Sequence, residues 1–308
     1  MGQFSVSKSK FKVYKLIGAF ALMVIIGCAT DGDNRVSVEK KEEISNDSIQ
    51  LEYQLNKDRD YELVIEFKEN FEPTKNDSIR IWINRIFKAT TNVLGKYPFD
   101  TYVNIFPARS SSQPVPFGLA SRKDGINQVK LYVNEEASFN ELMEDWTAPH
   151  ELSHLALPFL EQNNKWFSEG FATYCSRRIM IDLGYLTEDS FEELYVSKVA
   201  AFRSYFNSST STFTEVADSL LSHHRYSPIY WGGSSFFMIM DARLQEDKGW
   251  RFTDLVTKYQ ANGRLEDKNL KQVMASFDTI NGDTWCTALL TSFRNELSYK
   301  SMKRYDER

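Results

Sequence analysis

Four side chains in the middle of the sequence have the types and the spacing that a metal site needs. His150 and His154 are four residues apart, so on a helix both imidazoles lie on one face. Glu169 follows in a second helical pattern and offers a carboxylate. Two neutral imidazoles and one carboxylate form a ligand set suited to zinc, with one coordination position left for water. Glu151, next to His150, can act as general base toward that water.

The pattern His-Glu-x-x-His is uncommon in this chain, because only 4 of its 308 residues are histidines and two of them fall within it. It is the short motif of zinc hydrolases, in which the histidines bind the ion and the glutamate activates water. The alternative is a surface helix that carries two histidines by chance. Glu169 argues against that alternative, because a short loop can bring this glutamate next to the two histidines. The sequence therefore predicts one Zn²⁺ per chain, bound by His150, His154 and Glu169.

Two helices must position these groups. The apolar pattern predicts the first helix over residues 141–157. Pro149 stands directly before His150, so this helix either begins near Thr147 or is kinked at the proline. The second helix is predicted over residues 165–183, and a short polar loop joins the two.

Around these helices the hydrophobic periodicity predicts an α+β chain with two lobes. A small mixed-sheet lobe spans residues 59–140 and a mostly helical lobe with the zinc site spans residues 141–308. In the first lobe we expect strands at 61–69, 101–106 and 127–134, a turn at Pro73 and Asn76-Asp77, and a helix at 78–94. Residues 109–125 read as irregular. In the second lobe we expect further helices at 187–206, 213–221, 250–259, 270–277 and 285–297, and a long apolar helix ending near Arg243.

The first 27 residues read as a targeting segment that is not part of the fold. Four lysines form a basic region, and residues 16–26 form an apolar run too short to span a bilayer comfortably. The run ends in Ile-Ile-Gly before Cys28, which resembles a bacterial lipobox whose cysteine becomes lipidated. The alternative is an uncleaved N-terminal anchor helix. Either reading predicts a membrane-tethered protein of the bacterial cell envelope.

The residues after Cys28 give two further expectations. The next residue is not Asp, which favours the outer membrane over the inner one, and the side that the domain faces stays open. Residues 28–58 are polar and charged, which is typical of a flexible tether. An ordered strand near residues 49–53 is the alternative.

Charge and cysteine content narrow the class of partner. The chain carries a net charge of −5, and removing residues 1–27 removes four lysines and no acid. A net-negative chain without basic clusters argues against a nucleic-acid partner. Cys175 and Cys286 could form one disulfide in an oxidising envelope or remain two buried thiols.

Three motifs occur in an order that resembles the gluzincin metallopeptidases, most closely the glycyl aminopeptidase family: HELSH at 150–154, WFSEGFATY at 166–174, and Tyr230-x-x-Gly233. Segments 96–106, 185–196 and 230–259 are also similar, so the resemblance covers roughly residues 90–265. It implies a thermolysin-like zincin catalytic unit with a peptide or protein substrate.

The resemblance also implies roles for individual residues. His150, His154 and Glu169 would bind zinc, and Glu151 would be the general base. Tyr230 would stabilise the tetrahedral oxyanion, although Tyr226 shares its helix face and either tyrosine could serve only packing. Thr173, one turn beyond Glu169, is the candidate for a hydrogen bond to a ligand histidine. His223 and His224 are either loop histidines that assist the reaction or solvent-facing residues at a helix end.

Substrate recognition is where the chain departs from this family. An edge strand that binds extended substrate would fall at Phe117, Gly118, Leu119 and Ala120, and the alternative is an ordinary surface loop. The family's glutamate for the substrate amino group is missing there. Gly232 replaces a lysine, and the loop between His154 and Glu169 is shorter than in relatives. Aminopeptidase specificity is therefore in doubt, and endopeptidase action is compatible with the sequence.

Taken together, these features predict a membrane-anchored zinc metallopeptidase, either an endopeptidase or an atypical aminopeptidase. The alternative is a catalytically inactive, zinc-binding envelope lipoprotein that binds peptides or glycans. The intact Glu151 favours the enzyme, because a binding protein has no need for a general base.

Overall fold

The structure is a computed structural model and describes residues 61–69, 71–109, 111–123 and 125–308. The predicted signal peptide, Cys28 and the predicted tether lie outside these residues. Among the described helices, none combines the length and the apolar character that crossing a bilayer requires.

Four strands form a mixed sheet at the N-terminal end of the described chain: β1 (Leu63–Phe67), β2 (Thr101–Ala108), β3 (Phe117–Lys123) and β4 (Ile126–Asn134). Their order in the sheet is β1, β2, β4, β3. Strand β2 pairs in parallel with β1 and β4, and β3 pairs antiparallel with β4. This order leaves β3 at one edge of the sheet.

Helices make up most of the remaining chain: α1 (Pro73–Leu94), α2 (Phe139–Glu144), α3 (Thr147–His154), α4 (Lys165–Asp182), α5 (Glu188–Phe206), α6 (Phe213–Ser222), α7 (Tyr226–Lys248), α8 (Phe252–Asn262), α9 (Leu270–Asn281), α10 (Trp285–Asn295) and α11 (Ser298–Asp306). A 3₁₀ turn, Gln162–Asn164, precedes α4. A small mixed sheet followed by helices confirms the predicted α+β class.

The single helix predicted over residues 141–157 is wrong, because the chain forms α2 and α3 with a break at Asp145 and Trp146. Pro149 explains the break. A proline ring clashes with the carbonyl four residues earlier, here that of Asp145, so one helix cannot run through both. The Asp145 carboxylate instead accepts a hydrogen bond of 2.7 Å from the backbone N–H of Thr147, at the start of α3. The helix therefore begins at Thr147, one of the two options left open by the sequence.

Other boundaries also differ from the predictions, and the long apolar helix α7 ends at Lys248 and not near Arg243. The expected turn at Pro73 is the first turn of α1, because proline suits the first helical position, where its missing N–H is not needed. Residues 109–125 contain strand β3 and are not irregular throughout. Helix α11 was not predicted, because its buried face includes Ser298 and Ser301, which a hydrophobic pattern counts as polar.

The core between the helices is rich in aromatic rings. Trp166 on α4 contacts the rings of Phe213, Phe236 and Phe293, and all four side chains are almost completely buried. This packing fixes α4 against α6, α7 and α10. Cys175 and Cys286 are both buried and are free thiols, so the thiol alternative holds in this structure.

Candidate metal and active site

Three predicted ligands come together between α3 and α4. The Nε2 atom of His150 lies 3.1 Å from Oε2 of Glu169, and Nε2 of His154 lies 3.6 Å from the same oxygen. One donor atom from each residue lies within 4.8 Å of the other two. The side chains of His150 and Glu169 are each about 5% exposed, so the cluster is sheltered from solvent. Such a group can bind a metal ion.

Helix α4 brings Glu169 to the histidines because it crosses α7 at close range. A Cβ atom on Gly170 would lie 2.3 Å from the carbonyl carbon of Gly233, and one on Gly233 would lie 2.3 Å from the Trp166 carbonyl oxygen. Only glycine permits this approach of two backbones. The two glycines of the sequence motifs thus place Glu169 and Tyr230 on opposing helices around one cavity.

The Lys165 side chain favours the charged form of Glu169. Its Nζ lies 3.0 Å from Oε1 of Glu169, the carboxylate oxygen that does not face the histidines most closely. Burial opposes ionisation of Glu169, but Lys165 and the two histidines outweigh burial and hold the pKa of Glu169 well below its usual range. The carboxylate is therefore ionised, as a metal ligand must be.

Each ligand histidine has a different environment at its second ring nitrogen. Nδ1 of His154 lies 3.1 Å from the Ser168 hydroxyl. Ser168 directly precedes Glu169 in the chain, but the sequence analysis did not predict this contact. Nδ1 of His150 and the hydroxyl of Thr173 are both buried and have no hydrogen-bond partner among the described residues. The structure thus places Thr173 beside the site but gives no hydrogen bond from it to a histidine.

Aromatic packing also holds His150. The Trp146 ring meets the imidazole edge to face with ring centroids 5.0 Å apart, and the Arg177 guanidinium lies 4.7 Å over the Trp146 ring. Neither residue belongs to the motif, and no short-range pattern pointed to them.

Glu151 faces the opening of the site from the same helix. Its Oε2 accepts a hydrogen bond of 2.8 Å from the backbone N–H of Ala120 on strand β3. Its side chain is partly exposed and lines the cavities on both sides of it. The Ala120 contact fixes one carboxylate oxygen of Glu151 in the wall that the two cavities share.

Strand β3 runs alongside α3 at very close range. A Cβ atom on Gly118 would lie 2.5 Å from Cγ of Glu151 and 2.8 Å from Cγ2 of Thr147. Phe117, Gly118 and Leu119 line the larger cavity beside the ligands, whereas Ala120 lines a smaller one. The four residues predicted to bind substrate therefore form an edge strand at the cavity and not a surface loop.

The larger cavity has a volume of about 330 Å³ and includes both tyrosines of α7. The ring centroid of Tyr230 lies 5.6 Å from that of His150. Tyr226, one helical turn earlier, also lines this cavity. A Cβ atom on Gly232 would lie 2.2 Å from the Phe206 ring, so a larger residue there would require this ring to move.

His223 and His224 lie exposed at the end of α6 and are not among the described residues that line the larger cavity. His224 has a φ of 57°, in the left-handed region, and its Nδ1 lies 3.5 Å from the Tyr226 hydroxyl.

The end of α3 is held by side chains from three other parts of the chain. Just beyond His154, backbone carbonyls accept hydrogen bonds from buried or partly buried donors on β3 and α8 and from the turn after α8: Arg122 and Arg264 to Leu155, Arg122 to Leu157, and Gln260 to Ala156. Tyr97 donates to the carbonyl of Leu152 at 2.7 Å. Because α3 has only 8 residues, these contacts and not helix propensity keep it in place.

Comparison with known proteins gives limited overlap. No protein-family model matches the chain, and no curated protein matches it. Among solved structures, the crystal structure of M1 zinc metallopeptidase from Deinococcus radiodurans is similar, with a TM-score of 0.42 and 14% identity. The match covers 75% of this chain and 48% of that one, so the chain spans about half the length of that structure.

Proposed function

We propose that this chain is a zinc metallopeptidase of gluzincin type that hydrolyses peptide bonds in extended substrates. One observation carries the proposal. The Nε2 atoms of His150 and His154 converge on Glu169 beside the carboxylate of Glu151, in a cavity bordered by the free edge of a sheet.

The residues fit zinc. Two imidazole nitrogens and one ionised carboxylate are a common catalytic zinc ligand set, and the contact with Lys165 keeps Glu169 ionised. His150, His154 and Glu169 would hold the ion. When bound, zinc supplies a Lewis acid that polarises the substrate carbonyl and lowers the pKa of the attacking water.

Glu151 performs the proton transfers in this proposal. It accepts the proton of the attacking water and later delivers it to the leaving amine. The hydrogen bond from Ala120 holds one of its oxygens, which leaves the other free to face the reacting groups. A carboxylate held in this way loses less freedom when substrate binds.

Tyr230 is the proposed hydrogen-bond donor to the oxyanion, and its position on the cavity wall next to His150 supports this role. Strand β3 is the proposed site of strand addition, in which the backbone of an extended peptide pairs with residues 117–120. Its edge position and its contact with Glu151 support that role, because bound peptide would then lie next to the base.

The proposed setting is the bacterial cell envelope, where a lipid on Cys28 anchors the chain in the outer membrane. The support is the sequence pattern of residues 1–28 alone. We expect Cys28→Ser to abolish incorporation of labelled palmitate and to release the protein from the membrane fraction. Label retained in this variant would contradict the anchor.

The test of the activity uses the full zinc-loaded chain, a mixed peptide library of which half is N-acetylated, and mass spectrometry. Glu151→Gln is the matched control, because it keeps a side chain of the same shape and removes the base. We expect this variant to retain zinc and to lose about 10²–10⁴-fold in turnover.

Each outcome of this experiment has a clear meaning. Internal cuts in both halves of the library would identify an endopeptidase, and single-residue ladders from free N-termini only would identify an aminopeptidase. If the unaltered chain and Glu151→Gln cleave equally or not at all, the proposal fails. The chain would then be better described as a zinc-binding protein that binds peptides or glycans.

A further inference from the structure

The cleft has a second, smaller cavity on the far side of Glu151 from Tyr230. Its volume is about 60 Å³, against about 330 Å³ for the larger one. Glu151, His154 and Lys165 line both cavities and so form the boundary between them. The small cavity continues along β3 past the residues that line the larger one, so an extended peptide on this strand would pass over both.

Two cations face this small cavity. Lys165 is about 14% exposed and pairs with Glu169. Arg122 is on β3, and the partners of its guanidinium are neutral: the carbonyls of Leu155 and Leu157 and the side-chain amide of Asn127. Its charge is therefore held in place by dipoles and not by a carboxylate contact.

Two carboxylates, those of Glu151 and Glu161, also line the cavity. Glu151 accepts the hydrogen bond from Ala120 and is the proposed base. Glu161 is exposed, and its charge also acts on Arg294, where burial lowers the pKa of the guanidinium and Glu161 offsets only part of that effect. Exposed charges are screened by solvent, so Glu161 counts for less than the sheltered Lys165.

The remaining wall strengthens the effect of the cations. Leu155, Pro158, Phe159 and Leu160 line the cavity with apolar groups, and an apolar surround increases the attraction between a cation and an anion. When Glu169 binds a divalent cation, its charge is shared with that ion, and the positive charge of Lys165 is then less compensated. This step rests on the proposed function.

We propose that the small cavity binds a carboxylate of the peptide substrate, with Lys165 as the residue that determines this specificity. The carboxylate comes either from an acidic side chain near the scissile bond or from the C-terminus of the peptide. A free amino terminus placed in this cavity would meet two cations and would be repelled.

The experiment uses the full zinc-loaded chain and a peptide with both ends blocked and a single cleavage site. Glutamate is placed at each of three positions on either side of that site, and each peptide has a glutamine counterpart. A further pair compares a free C-terminal acid with its amide. We expect kcat/KM to be about fivefold higher for the carboxylate member of at least one pair, which corresponds to one partly sheltered ion pair.

Three variants test which side chains produce the preference for a carboxylate. The measured quantity is the ratio of kcat/KM between each carboxylate peptide and its neutral counterpart. Lys165→Met should bring that ratio close to one. Ser121→Glu adds a carboxylate on β3 without touching the contact between Lys165 and Glu169, and it should lower or reverse the ratio. Glu161→Gln removes the opposing charge and should keep or raise the ratio. Because each ratio is taken within one variant, a partial loss of activity or zinc cancels. If Lys165→Met has no activity, Ser121→Glu decides, and an unchanged ratio in that variant would contradict the carboxylate site.

The two proposals fail in different ways. If the unaltered chain cleaves peptides but every ratio is near one, the carboxylate site is wrong and the peptidase stands. Cleavage of only those peptides in the mixed library that have a free amino terminus would leave the peptidase standing and would also overturn the carboxylate site. If neither these peptides nor the mixed library of the activity test is cleaved beyond the level of Glu151→Gln, the peptidase is wrong and the carboxylate site, which rests on it, falls as well.

Discussion

Helix α3 and strand β3 lie side by side and form adjoining walls of the cavity, and they hold their functional groups by different means. On α3, two imidazoles are brought together by helix periodicity and meet a buried carboxylate from α4. On β3, the contact to the active site is made by the backbone, through Ala120, and by the absence of a side chain at Gly118. One wall therefore depends on side-chain identity and the other on backbone position. We expect substitutions on the first wall to abolish function and those on the second to reduce it.

The largest effect is expected from loss of a ligand on the helical wall. His150→Ala removes one of three donors, so zinc affinity should fall by more than the ~10–100-fold typical of an outer hydrogen-bond partner. Peptide turnover should disappear with the metal. The measurement is zinc content after dialysis against a weak chelator.

His223→Ala is the matched control, because His223 is an exposed histidine at the end of α6. It should keep zinc and activity at the unaltered level. Equal zinc content in the His150 and His223 variants would contradict the ligand assignment.

A smaller effect is expected on the opposite helix. Tyr230→Phe removes one oxyanion donor and should lower kcat by about 10²–10³-fold with zinc retained. Tyr226→Phe, one turn away on the same cavity wall, should change kcat far less. Steady-state kinetics of both variants decide between the two tyrosines, and the reverse ranking would assign the donor to Tyr226.

The smallest effect is expected on the strand wall. Gly118→Ala places a methyl group where only 2.5 Å separates it from Cγ of Glu151, so the strand and the base must move apart. A shift of this kind should lower kcat/KM by about tenfold, below the ~10²-fold that a full 1 Å misplacement can cost. Zinc content should not change. Unaltered kinetics in this variant would show that the spacing between β3 and α3 does not matter for turnover.

The same contrast explains how much of the site could be predicted from the sequence. His150 and His154 could be identified because helix periodicity fixes their relation locally, and Glu169 because it opens a second helix after a short loop. The hydrogen bond between Ala120 and Glu151 joins residues 31 positions apart and depends on how the sheet packs against α3. No local pattern contains that information.

Two further features show where sequence patterns mislead or fall short. Pro149 was recognised as a helix start or a kink, but the break at Asp145 follows only when the proline clash is combined with the Asp145 contact to Thr147. Lys165 is four residues before Glu169, a spacing visible in the sequence. The spacing does not show that this ion pair is sheltered from solvent, which depends on how the surrounding helices pack. The mixed sheet and the helical lobe could be predicted because their periodicities are strong.

The most direct test of the central claim is metal analysis of the purified full chain, combined with X-ray absorption at the zinc edge. The account predicts one zinc ion per chain, bound by two imidazole nitrogens and a carboxylate oxygen at about 2.0–2.2 Å. A chain that binds no zinc on reconstitution, or zinc with sulfur ligands from Cys175 or Cys286, would contradict it.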